Sequence, residues 1–208
     1  MIINEDKIYI MDLVKKLTPD ILKEINFNPN VKEVGHSFSG LYEAVLVKKL
    51  LVLDNNFAKP TGTRSSDDIK YKDNYVNIKF GYKKDGQPNT CSMKRLFNYL
   101  HNDLIDSYYV FSVDANGPVY KFFDVYDYLD YTNFNYGTGQ LMLCESKMEK
   151  VYTFNESFDL TKEQKICKMG KMMKEELERH ITLKKRQQDK IDRIVDGYQN
   201  ILSEFCTT

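Results

Sequence analysis

Apolar and polar residues alternate along residues 66–80, and this is the most informative pattern in the chain. One face of the alternating strand is apolar and consists of Val76, Ile78 and Phe80. Asn77 and Lys79 fall on the other face, because successive side chains of a strand point in opposite directions. Residues 72–74, Lys-Asp-Asn, are typical of a tight turn. The pattern therefore predicts a β-hairpin with one apolar and one polar face.

Outside the hairpin, the spacing of apolar residues predicts helices and further strands. Helical spacing is found in residues 5–26, 38–54, 92–100 and 161–205. Strand spacing is found in residues 106–114 and 119–125. Residues 5–26 predict one or two helices, with a second one starting at Pro19, since Pro favours the first position of a helix. The polar residues 184–188 predict two helices, or one helix with a break, at the carboxyl end.

The order of helix, hairpin, helix, strand and strand predicts an α+β fold, with a mixed central sheet flanked by helices. We expect a core over residues 1–160, including the helices at the amino end. Residues 161–208 would add a helical segment that packs on this core or mediates dimerisation, as part of the same domain or as an appendage. A length of 208 residues suits this organisation.

The polar face of the hairpin also carries a carboxylate. Asp68 falls on the face opposite Ile69, whereas Asp67 falls on the same face as Ile69. Asp68, Asn77 and Lys79 can therefore meet on one face, an arrangement suited to holding a divalent metal beside a phosphate. The alternative is an exposed hairpin with ordinary surface charges.

Asp68 followed by Asn77-Ile78-Lys79 resembles the PD-(D/E)xK nuclease motif, with Asn in its second acidic position. Type II restriction endonucleases are the best-known members of that family. Glu43, in the helical segment that opens at residue 40, stands where the family often places an accessory acid. Residues 134–141 also resemble these enzymes, and the likeness extends over residues 35–145. It implies a restriction-endonuclease-like core.

The resemblance also implies a role for each residue of the motif. Asp68 would be the anionic ligand of Mg²⁺, and the main-chain carbonyl of Ile78 would be a second ligand. Asn77 offers the metal only a neutral oxygen, so Glu43 would supply the missing negative charge. Lys79 would act on the attacking water and the phosphate, as a charge stabiliser or a general base.

The charge distribution and the segments that flank the hairpin are compatible with DNA. The net charge is zero, but residues 57–107 hold nine Lys and Arg against six Asp and Glu. Residues 108–160 hold three against eight. Side chains suited to phosphates and base edges flank the hairpin: Arg64, Ser65, Lys83, Lys84, Gln87 and Asn89. An ordinary surface loop is the alternative for residues 81–89.

The apolar runs and the cysteines indicate the cellular setting. No apolar run approaches the roughly 20 residues that span a bilayer, so no membrane partner is expected. The amino end shows no signal-peptide pattern. The four cysteines contain no CxxC pair, which argues against a zinc site or a disulfide framework. We expect a cytoplasmic protein.

Together these features predict a Mg²⁺-dependent, sequence-specific endonuclease of double-stranded DNA, similar to type II restriction enzymes. A homodimer is the natural assembly, because cutting both strands calls for two sites. One alternative is a structure-specific nuclease of DNA repair or recombination. Another is a catalytically inactive DNA-binding module, with Asn77 as the mark of lost chemistry.

Overall fold

The computed structural model describes residues 2–28, 35–62, 68–81, 89–104, 109–114, 119–135, 138–143 and 160–205. Its helices are α1 (Asn4–Glu24), α2 (Gly35–Leu53), α3 (Met93–His101) and α4 (Lys162–Phe205). Its strands are β1 (Phe57–Ala58), β2 (Ile69–Tyr71), β3 (Asn74–Gly81), β4 (Asn89–Ser92), β5 (Tyr109–Asp114), β6 (Val119–Asp124), β7 (Thr132–Asn135) and β8 (Gln140–Leu143). A short 3₁₀ helix, Leu129–Tyr131, precedes β7.

The strands form two sheets. The larger sheet has the order β1-β2-β3-β5-β6. The pairing of β3 with β5 is parallel, and the other pairings in this sheet are antiparallel. The smaller sheet has the order β4-β8-β7 and is antiparallel. The sheets and helices confirm the predicted α+β fold with a mixed central sheet.

Helices α1 and α2 share a hydrophobic core with the larger sheet. The apolar face of β3 contributes to it Val76, Ile78 and Phe80, each at most 5% exposed. Tyr42 of α2 stacks on Phe80, with ring centroids 4.2 Å apart. The Tyr42 hydroxyl lies 2.7 Å from Oγ1 of Thr18 in α1, which ties the two helices together. The predicted hairpin and its apolar face are confirmed.

Two helices are continuous where the sequence pattern predicted an interruption. Pro19 lies inside α1, where the chain packs on both sides of it through the buried Val14 and Ile21. The Thr18 hydroxyl bonds to the carbonyl of Val14 at 2.7 Å. Of the one or two helices predicted, the structure has one: no new helix starts at Pro19, because this packing outweighs the cost of the proline. Helix α4 also runs unbroken, since the Lys, Arg and Gln of residues 184–188 are good helix formers.

The smaller sheet was not predicted. Residues 81–89 were expected to form a loop, yet Asn89 is the first residue of β4 and pairs with Met142 of β8. Strands of four residues carry too little alternation to stand out from a turn. The prediction for α3 was confirmed, since the Ser92 side chain accepts a hydrogen bond from the Arg95 N–H at 3.2 Å.

The chain divides into two compact units, Met1–Ile166 and Cys167–Thr208. In the first unit, Thr161 and Gln164 form the predicted capping box at the start of α4, with bonds of 2.8 and 3.3 Å. Lys165 Nζ lies 3.0 Å from Asp124 Oδ2 in a buried ion pair. Among the described helices, none is long and apolar enough to cross a membrane.

Candidate active site

The Asp68 carboxylate lies at the edge of β3 where β2 begins. Ile69 of β2 pairs with Val76 in an antiparallel ladder. Asp68, one residue earlier, therefore stands level with Asn77, one residue later in β3. Asp68 Oδ2 accepts a hydrogen bond from the Ile78 N–H at 2.5 Å. A side chain, rather than another strand, therefore takes this backbone donor.

Glu43 reaches the same edge from α2. Its carboxylate accepts a hydrogen bond from the Phe80 N–H. The position of Glu43 is set by its neighbour Tyr42, which is fully buried and stacks on Phe80. The core packing of α2 on β3 thus holds the carboxylate at the edge of the strand.

The two carboxylates bracket a backbone carbonyl. A strand residue directs its N–H and C=O groups to the same side. The carbonyl of Ile78 therefore points to the edge where its own N–H meets Asp68. Along this edge it lies between the N–H groups of Ile78 and Phe80, which Asp68 and Glu43 accept. Two carboxylates and one carbonyl converge there.

Lys79 and Asn77 lie on the face of β3 opposite the hydrophobic core, as predicted. Lys79 is half-buried, and its positive charge acts on the Glu43 carboxylate. Asn77 is only 6% exposed, and its Oδ1 has no hydrogen-bond partner among the described residues. A buried acceptor without a partner costs about 1–3 kcal/mol, so this oxygen is suited to a bound cation or donor.

Electrostatics single out Glu43 among these groups. Burial raises the pKa of Glu43 to about 7, because a charged carboxylate is poorly solvated there. The positive charge of Lys79 opposes this shift, whereas the negative charge of Asp68 adds to it. The hydrogen bond from the Phe80 N–H lowers the pKa. A carboxyl group whose ionised form is disfavoured in this way is a candidate functional group.

The donor set fits a hard divalent cation. Mg²⁺ prefers oxygen ligands and retains several waters, so a few protein ligands suffice. The carboxylates of Asp68 and Glu43, the carbonyl of Ile78 and the amide oxygen of Asn77 are all of this kind. The site holds two acids, and no cluster of three or more His, Cys, Asp or Glu is present in the described part of the chain. Such a site would bind a cation through oxygen atoms, including that of the main chain.

Several predicted residues lie outside the described part of the chain. These are Arg64, Ser65, Lys83, Lys84 and Gln87, together with Asp67. The backbone of Asn89 lies in β4, so it is part of a strand and not of a surface loop. The predicted DNA contacts of these residues stay predictions.

One lysine on the polar face of the sheet was not predicted from the sequence. Lys121 of β6 pairs with Ser112 of β5, which in turn pairs with Lys79 of β3. Residues in register share a face of the sheet, so Lys121 and Lys79 lie on the same side. Lys121 is only 6% exposed, although lysine is rarely buried. A single lysine in the apolar stretch 119–125 was the signal that could have identified it.

Comparisons with known proteins find a likeness among solved structures. Neither the protein-family models nor the curated proteins compared with the chain match it. Among solved structures, the chain is similar to a "Restriction endonuclease in complex with substrate DNA". The sequence identity is 14%, over 70% of this chain and 81% of that chain, with a TM-score of 0.44.

Proposed function

We propose that this chain is a Mg²⁺-dependent endonuclease that hydrolyses phosphodiester bonds of double-stranded DNA at specific sequences, as type II restriction enzymes do. The observation that carries the proposal is the edge of β3. Two carboxylates from different elements bracket the Ile78 carbonyl there, beside a lysine. An arrangement of acids around a main-chain carbonyl, with an ammonium group next to it, has no role in core packing.

Four oxygen donors would hold the Mg²⁺ ion: Asp68, Glu43, the Ile78 carbonyl and Asn77. The bound ion would lower the pKa of a water molecule and offset phosphate charge. The raised pKa of Glu43 supports this assignment, since a nearby cation favours the ionised form that burial disfavours. The Asn77 Oδ1 atom, which lacks a partner among the described residues, would gain one.

The side chain of Lys79 would stabilise the negative charge that builds on the phosphate during attack. A fixed positive group in a partly buried site is effective for this purpose because it needs no reorganisation. Lys79 acts electrostatically on Glu43, which supports a position close to the acids. Glu43 and Asp68 would orient the attacking water through their remaining oxygen lone pairs.

Asn77 stands where the nuclease motif has an acid, so the site carries one negative charge fewer. One carboxylate fewer weakens the attraction for Mg²⁺ and eases the approach of an anionic phosphate. Glu43 would compensate for the lost charge when it is ionised. We therefore infer an active enzyme that requires more Mg²⁺ than an enzyme with an acid at this position.

The proposed substrate is duplex DNA read by the segments next to the hairpin. Arg64, Ser65, Lys83, Lys84, Gln87 and Asn89 would contact phosphates and base edges. Cleavage of both strands requires two copies of the site, so we propose a homodimer as the active form.

Incubation of the purified protein with long linear duplex DNA, with and without Mg²⁺, tests this proposal. The expected result is a set of discrete fragments that appears only with Mg²⁺ and is absent with Lys79→Ala. Binding by Lys79→Ala, measured by gel mobility, should remain. Cleavage restricted to junctions or flaps would instead support a structure-specific nuclease. Binding without any cleavage would support an inactive DNA-binding module.

A further inference from the structure

The end of helix α4 carries a row of apolar side chains that are exposed. Their exposed fractions range from 44% to 65%. We call this row the C-terminal stripe; it consists of Ile191, Ile194, Val195, Tyr198, Ile201 and Leu202. Large apolar side chains exposed next to one another on a single helix mark a surface that another partner covers.

The spacing of the stripe is that of a coiled coil. Ile191, Ile194, Tyr198 and Ile201 are separated by three, four and three residues. This is the alternation of the a and d positions of a heptad repeat, which keeps one seam of the helix against a partner helix. Val195 and Leu202 widen the seam on one side. The partner is therefore expected to be a helix with a matching apolar seam.

The area of the stripe is large enough for a second copy of the same helix. Six side chains that are about half exposed offer roughly 500 Å² per copy, the upper range for a patch on a monomer. Two copies would bury about 1,000 Å² in total, close to the lower limit of a specific interface. Each copy supplies the self-complementary seam that a two-fold contact needs.

We propose that the C-terminal stripe binds the same stripe of a second chain as an antiparallel coiled coil. In this pairing Ile191 opposes Ile201 of the second copy, and Ile194 opposes Tyr198. The proposal deepens the homodimer inferred above by locating its contact, and its test does not depend on DNA cleavage.

Charge favours the antiparallel direction. Lys184 stands one heptad before Ile191, in line with the seam, and is followed by Lys185 and Arg186. A parallel pair would place these residues against the same residues of the second copy, with mutual repulsion. The antiparallel pair separates the two basic stretches by roughly 30 Å at 1.5 Å per residue.

Gly197 supports the same arrangement. A glycine inside a helix costs about 1 kcal/mol relative to alanine. A Cβ atom added at Gly197 would meet nothing within 4 Å, so packing among the described residues does not demand a glycine. In the antiparallel pair Gly197 lies next to the two-fold axis, near Gly197 of the second copy. The lack of a Cβ atom at Gly197 would let the two helices approach closely there, which explains why a glycine stands at this position.

Light scattering coupled to size exclusion, over about 1–100 µM protein, tests the interface. The wild-type chain should show twice the 24.5 kDa of a single chain at the higher concentrations. The double variant Ile194→Glu/Tyr198→Glu should show the mass of one chain and an unchanged far-UV circular dichroism spectrum. Val52→Glu is the matched control, since Val52 is also exposed, at 81%, but lies in α2. A monomeric wild type, or a double variant that still dimerises, would overturn the proposal.

Thiol crosslinking tests the direction, in a chain whose Cys144, Cys167 and Cys206 are replaced by Ser. Gly197→Cys should be joined to its copy by a short thiol-specific crosslinker. Ile191→Cys should not be joined, because antiparallel helices place its two copies roughly 15 Å apart along the axis. The opposite result, with linkage at residue 191 and not at residue 197, would show a parallel pair and refute the proposed orientation.

Discussion

Two clusters among the described residues of the Met1–Ile166 unit each combine a lysine with two carboxylates. At the start of α4, Lys165 Nζ lies 3.0 Å from Asp124 Oδ2 and 3.8 Å from Asp127 Oδ1. Asp124 Oδ1 also accepts the Tyr126 N–H at 3.0 Å. The side chains of Lys165 and Asp124 are at most 5% exposed, so their charges satisfy each other away from water.

The site at the edge of β3 uses the same residue types without reaching that balance. Burial raises the pKa of Glu43 to about 7 in spite of Lys79, and Asn77 Oδ1 is buried without a partner among the described residues. A matched ion pair holds one element against another, whereas a set of oxygen donors without such a pairing is suited to a ligand. The close pairing of two buried charges, rather than the presence of lysine and acids, distinguishes the Lys165 cluster from the edge of β3.

The largest expected effect comes from breaking the balanced cluster. Lys165→Met leaves the buried Asp124 carboxylate without its cation, which should lower the free energy of unfolding by about 3–5 kcal/mol. Denaturant unfolding measures this change. Lys171→Met, at an exposed position of the same helix, is the control and should be nearly neutral. A decrease in the free energy of unfolding below about 1 kcal/mol, as for a surface ion pair, would mean that the cluster does not stabilise the fold.

The unbalanced cluster should respond in activity rather than in stability. Asp68→Asn removes a charged ligand and should reduce Mg²⁺-dependent cleavage about 10²–10³-fold, the usual effect of losing one essential polar group. The fold should persist, because an amide oxygen still accepts the Ile78 N–H. Asp67→Asn is the matched control. A greater loss of cleavage from Asp67→Asn would show that Asp67, and not Asp68, is the acid that acts with Asn77 and Lys79.

The pattern along β3 was strong enough to predict which residues share a face, because strand alternation sorts residues between two faces. Asn77 and Lys79 were separated from Val76, Ile78 and Phe80 by parity alone. The role of Glu43 depends on how α2 packs against the sheet, since no local pattern joins residues 43 and 80. Its raised pKa depends on burial by residues distant in sequence, which the sequence does not display.

The sequence was less informative where short-range signals conflict with packing. Pro19 normally begins a helix, but α1 continues through it because the residues on both sides are buried. Lys121 was missed because its strand was interpreted only as an apolar element. Its position on the same face as Lys79, two strands away, follows from the order β3-β5-β6, a long-range pairing that alternation cannot specify. Contacts between distant elements are thus the part that required the structure.

A pH titration of stability sharpens the contrast between the two clusters. The pKa of Glu43 is about 7 in the folded chain, above its ordinary value of 4.5. Between these values the folded state binds more protons than the unfolded state, so stability falls as the pH rises. The metal-free wild type should lose about 2–3 kcal/mol relative to Glu43→Gln between pH 4.5 and 8. Denaturant unfolding at each pH measures the free energy of unfolding. If this free energy depends on pH equally in both proteins, the pKa of Glu43 is not raised.

The smallest expected effect concerns the residue that departs from the nuclease motif. Asn77→Asp adds a negative charge to the proposed ligand set and should strengthen Mg²⁺ binding about tenfold, or roughly 1.4 kcal/mol. Thermal stabilisation of the protein as a function of Mg²⁺ concentration measures this affinity. Asn98→Asp, an exposed change in α3, is the control and should leave the midpoint unchanged. If Asn77→Asp leaves the midpoint unchanged as well, Asn77 does not face the metal. Asn77 Oδ1 would then accept a hydrogen bond from a neutral donor instead of binding the metal. Glu43 would have no missing charge at position 77 to replace.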